Sequence, residues 1–221
     1  MKHLFFYLTI SLFALQACDN DDDLCLRGSG TVSDHPLELS EFDQVSLMGP
    51  VNLRITQGTP QKVVVVAEPE IFGPMSYVVN SKLLEIGYKD NITCFETDFG
   101  AWVNVTIPDI NEIHVDGISE IESEGSLDLD RLKIEISGTA EIALSGEAGD
   151  QDIESSGTVT VRNFDLITTN TSIEISGSGD LEVNCSGRLD IKVSGAATVR
   201  YKGTPQITQD VSGTLTLINA N

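Results

Sequence analysis

Aliphatic residues in the second half of the chain recur on a fixed template around glycine. Aligned on Gly117, Gly138, Gly157, Gly177, Gly195 and Gly213, the sequence repeats at spacings of 21, 19, 20, 18 and 18 residues. Four residues after each glycine stand Ile121, Ile142, Val161, Leu181, Val199 and Leu217, and two after stand Ser119, Ala140, Val159, Gly179, Ala197 and Leu215. Two before stand Val115, Ile136, Ser155, Ile175, Val193 and Val211, and four before stand Ile113, Ile134, Ile153, Ile173, Ile191 and Gln209. Strand side chains alternate faces, so these columns and the glycines share one inward phase. A single coil of about 19 residues cannot bury such a face, whereas stacked coils bury it against their neighbours. The pattern predicts an all-β, parallel β-helix-like solenoid. The variable spacing disfavours a strict hexapeptide left-handed helix and favours right-handed coils, with a β-sandwich or an irregular stack of hairpins as the rival. A glycine fits where the coil bends and backbones approach closely.

The intervening positions are polar. Asp116, Ser137, Ser156, Ser176, Ser194 and Ser212 precede the glycines and predict a hydroxyl-rich outer stripe. Three residues before them the column reads His114, Glu135, Glu154, Glu174, Lys192 and Asp210. Three stacked carboxylates repel unless water or a cation intervenes.

Ahead of the repeats the text reads as further strands. Val51, Leu53 and Ile55 alternate with polar residues, Gln57-Gly58-Thr59-Pro60 reads as a turn, and Val63 to Ala67 is β-branched, for which a hairpin is the simplest account. Ser76 to Gly87 repeats the pattern around Asn80-Ser81-Lys82, and Trp102 to Ile107 alternates until Pro108. No segment shows a sustained 3.6-residue apolar period, so helix content is expected to be very low. Antiparallel lead-in strands over 38–110 are thus expected before the glycine-centred repeats of 111–221, together one domain over 38–221.

The N-terminus changes the picture from fold to location. Lys2 opens an almost wholly apolar run from Leu4 to Ala14, too short for a permanent bilayer-spanning helix, which needs about 20 residues. Residues 1–17 read as a signal peptide. Leu15-Gln16-Ala17-Cys18 resembles the lipobox of bacterial lipoproteins, in which the cysteine is acylated, making Cys18 the lipidation site. Asp19-Asn20-Asp21-Asp22-Asp23 resembles the acidic surface-export signal of Bacteroidetes lipoproteins, with a plain acidic spacer as the alternative. Residues 18–37 then form a lipid-anchored acidic tether and linker, and the protein is expected on the outer membrane, facing outward.

The chain without residues 1–17 carries 12 Lys and Arg against 34 Asp and Glu, a net charge of −22. Such a surface repels phosphate chains, which argues against nucleic acid as a partner. Three cysteines remain besides Cys18. Cys25 and Cys94 are the expected disulfide because neither lies in the regular repeats, with three buried thiols as the alternative. Cys185 lies in the inward phase and reads as a buried free thiol.

Together with Phe42-Asp43-Gln44-Val45, the strand through Ile55 and Thr56-Gln57-Gly58, the repeated I-x-I-S-G pattern resembles the family of putative auto-transporter adhesin head (GIN) domains of unknown function. The resemblance covers about residues 38–221 and implies a β-helix-like domain carried on Bacteroidetes lipoproteins. Met48-Gly49-Pro50 departs from the freer turn usual in that family.

Candidate chemistry is sparse. His35 and His114 are about eighty residues apart with no His or Cys partner at metal-ligand spacing, and both read as surface imidazoles. No nucleophile-elbow pattern and no G-G-x-G-x-D run occur. Arg162, Lys192 and Arg200 are the basic residues a β-helix lyase would draw on, and Phe99 and Trp102 are the candidates for a stacking platform, against a core-capping role. No catalytic residue, metal or cofactor is assigned. The expected function is a non-catalytic surface module for adhesion or ligand binding, its partners a membrane through the lipid and a host glycan, matrix or envelope protein. A structural envelope protein without soluble ligand and a carbohydrate-active enzyme are the alternatives.

Overall fold

The computed structural model describes residues 25–88, 92 and 94–221. The expected signal peptide, the acidic run and Cys18 lie outside the described residues. In chain order the strands begin with β1 (Cys25–Arg27), β2 (Ser33–Leu37), β3 (Gln44–Pro50), β4 (Asn52–Gln57) and β5 (Lys62–Ala67), and the single-turn helix α1 (Pro69–Phe72) follows. Then come β6 (Met75–Asn80), β7 (Leu83–Tyr88), β8 (Cys94–Glu96) and β9 (Trp102–Ile107). The repeats supply β10 (Glu112–Ser123), β11 (Leu127–Ile136), β12 (Thr139–Ala143), β13 (Gly146–Ser155), β14 (Thr158–Ile175) and β15 (Ser178–Val193). They close with β16 (Ala196–Lys202), β17 (Gln206–Val211) and β18 (Thr214–Asn219). These form a β-solenoid of about 5 turns with coils of about 20 residues.

Parallel pairing follows the aliphatic template. Ile113, Ile134, Ile153, Ile173 and Ile191 are successive partners across β10, β11, β13, β14 and β15. Downstream of the glycines, Leu53, Ile121, Ile142, Val161, Leu181, Val199 and Leu217 form a second column. Ile113 through Ile191 are at most 2% exposed, and the second column is fully buried up to Val199. One slip of a single residue would turn every such side chain to solvent, so burial fixes the register.

Between the two columns the glycines form a ladder. A Cβ on Gly138, Gly157, Gly177, Gly195 or Gly213 would fall well inside 3.0 Å of the carbonyl oxygen of the glycine one coil below. Any side chain there would force the coils apart. Gly117 packs in the same way on Gly49, with which it is in register.

Gly49 is therefore a further rung of the glycine ladder. It carries Val45, Leu47, Val51 and Leu53 at the template positions, and all four are fully buried. The lead-in is accordingly mixed: β2 with β5, β5 with β9 and β6 with β7 are antiparallel, whereas β3 and β4 already stack parallel on β10. Ser81 and Lys82 turn the β6–β7 hairpin with φ of 50° and 69°.

The hairpin expected between residues 51–55 and 63–67 does not form. Both edges of β4 are taken, one by β10 and the other by β9, in parallel register with Leu53 opposite Val103 and Ile55 opposite Val105. β5 pairs with the far edge of β9 instead. The turn at Gly58 crosses the end of β9, its N–H donating to the Ile107 carbonyl at 2.8 Å. Stacking aliphatic side chains in coil order outweighs the local convenience of a turn.

Candidate functional site

The outward side chains upstream of the glycine ladder form a shallow groove of about 410 Å³ running across four coils. Its floor is backbone, and its walls carry His114, Glu135, Glu154 and Glu174 on one side and Asp116, Ser137, Ser156 and Ser176 on the other. β10, β11, β13 and β14 place these residues, because each lies one or three positions before a glycine whose inward neighbours are locked in the core.

Two lysines of the protein itself offset part of the charge of the carboxylate column. Lys133 projects between coils: its ammonium pairs with Glu135 and lies 3.6 Å from Glu154 and 3.9 Å from Glu112. The hydrogen bond from Lys133 holds the Glu135 carboxyl below the usual carboxylate range, and the same bond raises Lys133. One step along, Lys192 donates to Glu174 at 2.8 Å and is raised by it.

His114 is not an isolated surface imidazole. Its Nδ1 lies 2.9 Å from Glu135 and its Nε2 3.4 Å from Glu112. Ligand atoms of Glu112, His114 and Glu135 lie within 4.8 Å of one another, close enough to share a cation. Spacing along the chain hid this trio because two of its members sit on one strand and the third on the coil above. Lys133 reaches the same carboxylates, so a positive charge already serves them. His35 stacks on Phe72 with ring centroids 3.9 Å apart and meets the Ser33 hydroxyl at 3.1 Å.

The serines of the stripe face outward, yet their hydroxyls serve the fold. Ser137, Ser156 and Ser176 donate to the carbonyls of Val115, Ile136 and Ser155, one coil below, at 3.2, 3.5 and 3.3 Å. Ser137 also donates to the Asp116 carboxylate beside it at 3.2 Å. The basic candidates are ion-paired too: Arg162 lies 3.9 Å from Asp180 and from Glu182, and Arg200 pairs with Asp180. The Arg54 guanidinium lies over the Trp102 ring at 4.6 Å, and Phe99 is 48% exposed.

Around the corner, the outward residues downstream of the ladder make a different surface. Thr158, Thr160, Ser178, Thr198, Thr214 and Thr216 line a shallow depression of about 330 Å³ that contains one charged residue, Asp180. The molecule thus shows an acidic, ion-laced face and a hydroxyl face on either side of one glycine edge.

Cys25 and Cys94 are joined by a disulfide and paired in register on β1 and β8, with Cα atoms 4.3 Å apart. Beside it lies a residue the sequence did not mark. Glu68 is 1% exposed, and its carboxylate accepts from the Gly30 N–H at 2.5 Å and from the Thr97 hydroxyl. A Cβ on Gly28 would collide with that carboxylate, which accounts for glycine there, while Gly30 has a φ of 80°. Cys185 is a buried free thiol whose S–H lies within bonding distance of the Arg188 and Thr169 carbonyls.

Stacked parallel coils, a glycine ladder and open polar faces define a β-solenoid. Residues 41–205 match the family described as "Putative auto-transporter adhesin, head GIN domain", and the chain belongs to it. It resembles the crystal structure of a putative adhesin from Bacteroides fragilis with a TM-score of 0.66 at 19% identity, covering 87% of this chain and 99% of that one. A protein from Parabacteroides distasonis described as a putative lipid binding protein aligns with a TM-score of 0.55 at 17% identity, over 88% of this chain and all (100%) of that one. A putative adhesin from the same species gives 0.53 at 17%, with the same coverage. No curated protein is detectably similar to the chain. At these identities the neighbours speak to fold. The adhesin-type family points to work at the cell surface and to a non-enzymatic role.

Proposed function

We propose that this chain is a lipid-anchored outer-membrane protein, displayed outward, that holds an extended polar ligand along its outer faces. The observation that carries the reading is the groove across four coils, in which a carboxylate and a serine hydroxyl repeat together on three successive coils, as Glu135 with Ser137, Glu154 with Ser156 and Glu174 with Ser176. A ligand matched to such a face is itself a repeating polar polymer: a host glycan, a matrix protein or another envelope component. Many weak, evenly spaced contacts add up along an extended partner where no single deep pocket exists. Support for the anchor comes from Leu15-Gln16-Ala17-Cys18 and the acid run after it.

The test uses the exported chain carrying Cys18→Ser, which stays in solution, on an array of glycans and matrix proteins. Binding to a polymeric ligand that weakens in the double variant Glu154→Lys, Ser156→Lys is expected. Cells that need the protein for envelope integrity while the soluble chain binds nothing would overturn the adhesion reading. Protease shaving of intact cells removes a displayed domain and spares a periplasmic one, and labelled fatty acid should enter the wild type but not Cys18→Ser.

A further inference from the structure

The lead-in end of the solenoid carries an apolar patch gathered around α1. Glu68 organises it: its buried carboxylate accepts from the Gly30 N–H at 2.5 Å and from the Thr97 hydroxyl, and its backbone carbonyl takes the Phe72 N–H at 2.9 Å. Three segments far apart in the chain are thereby held side by side. Val32 follows the first of them, and Phe99 ends the last, its N–H donating to the same Thr97 hydroxyl at 3.1 Å. His35, Phe72 and Tyr77 extend the surface as a stack of rings with centroids 3.9 and 6.4 Å apart. Val32, Tyr77 and Phe99 are 36%, 42% and 48% exposed, and Val78, on the same strand as Tyr77, is 46% exposed.

This end lies on the side of the stack away from the repeats. Among the described residues β2 pairs only with β5, and β6 only with β7. The chain enters the domain here as well, since Cys25 is bonded to Cys94 and β1 packs beside α1. Seven residue steps separate Cys18 from Cys25, and a chain of that length reaches at most about 25 Å.

We propose that the α1 end is a membrane-seating surface, with Val32, Tyr77 and Phe99 entering the headgroup–acyl boundary of the bilayer that holds the lipid. The inference rests on the anchored reading above. A lipid on Cys18 confines the patch within one tether length of the bilayer, so its effective concentration there is high and a small apolar area suffices to seat it. Aromatic side chains with an apolar body suit that depth, and the tyrosine hydroxyl keeps a wet partner. Charge sets the kind of lipid. Glu68 is buried, Glu70 accepts a hydrogen bond from Ser29, and Glu96 pairs with Arg27, but Asp34 and Asp98 stand in the same segments as Val32 and Phe99. The seat is therefore on zwitterionic headgroups, and anionic lipid weakens it. Seating this end points the coils from β10 onward away from the bilayer and leaves the groove upstream of the glycines open to a partner.

The test uses the lipidated full-length exported chain in phosphatidylcholine vesicles with brominated acyl chains, which quench tryptophan only at close range. Trp102, the one native tryptophan, is replaced by Phe, and a reporter is introduced as Val32→Trp or, at the far end of the strand path, as Ile218→Trp. Loss of emission is expected at 32 and not at 218. Adding Tyr77→Asp and Phe99→Asp, both at exposed positions, should restore emission at 32 while uptake of labelled fatty acid stays unchanged. An unquenched reporter at 32, equal quenching at 32 and 218, or quenching indifferent to the two aspartates overturns the proposal. So does a reporter at 32 whose emission shifts with protein concentration in the lipid-free Cys18→Ser chain, which assigns the patch to a second copy. Fatty acid present with 32 unquenched sinks this inference alone, whereas fatty acid absent from the wild type sinks the anchored reading and the seat with it.

Discussion

A methyl group at Gly177 has nowhere to go, because the Gly157 carbonyl below occupies its place and Gly195 packs on the Gly177 carbonyl from above. Gly177→Ala must therefore push neighbouring coils apart or break a rung, and overpacking of this kind costs about 1–3 kcal/mol or more. Ser176→Ala, one residue away, removes a long 3.3 Å bond from an exposed hydroxyl and should change the denaturation midpoint little. Urea titration of the two variants side by side measures the contrast, and equal losses would show that the ladder is not tight. Ile175→Asp should fail to fold, since residue 175 is fully buried in the core and a lone carboxylate there has no partner. The inward columns are legible at this scale because alternation projects directly onto sequence. Gly49 is less so: Val45, Leu47, Val51 and Leu53 satisfy the template, but Pro50 beside it imitates a turn.

At the scale of elements, what the sequence hides is which strand lies beside which. Val63 to Ala67 reads as a strand and is one, yet nothing in its residues says that β9, 35 or more positions later, lies between it and β4. Likewise Glu112 and His114 meet Glu135 only once the 21-residue step from Gly117 to Gly138 has brought β11 onto β10. That meeting sets a pH dependence. Glu135 is lowered by its bond from Lys133, so its contribution is present above the unfolded carboxylate range and is lost as pH falls through the lowered folded value. Lys133 is raised, so its share is present below the unfolded lysine value and is lost as pH rises through the folded one. Both side chains are partly exposed, which limits each end to less than about 1 kcal/mol. Glu135→Gln should therefore lower the neutral plateau of a stability–pH profile by less than about 1 kcal/mol and converge with the wild type at the acid end, where that contribution is already lost.

A second element-scale expectation concerns the clamp at the β1 end. Cys25 and Cys94 are 69 residues apart, and closing a loop of that size stabilises by roughly 4 kcal/mol on the chain-entropy account. Because β1 and β8 form their own two-stranded sheet, the loss in Cys25→Ser, Cys94→Ser should fall first on residues near the bridge. Hydrogen exchange should rise around Gly28–Gly30 and Thr97, where the Glu68 carboxylate is held, before it rises in β11 to β15. Uniform acceleration across the repeats would show instead that the bridge supports the whole stack.

For the whole molecule, each coil touches its neighbours above and below, so stability is carried as a sum over stacked units rather than by one central core. That predicts tolerance of a change no globular core survives. Removing 178–195 deletes one 18-residue step, from the residue after Gly177 through Gly195. The cut leaves Val159 to receive Ala197 and Val161 to receive Val199, so the aliphatic columns close again, while Gly213 comes to rest on the Gly177 carbonyl. Ile175 likewise receives Val211 in place of Val193. The shortened chain should keep a β-sheet circular dichroism spectrum and a cooperative urea transition, with a smaller m value because less surface is exposed on unfolding. Removing 178–186 instead cuts half a step, puts β15 residues of the upstream arm where the downstream arm belongs and leaves the Gly177 rung without a partner at its own height. That variant should aggregate or remain unfolded. If the whole-coil deletion is as damaging as the half-coil deletion, coils are not interchangeable, and the variable steps of 18 to 21 residues encode specific neighbours rather than a repeated unit.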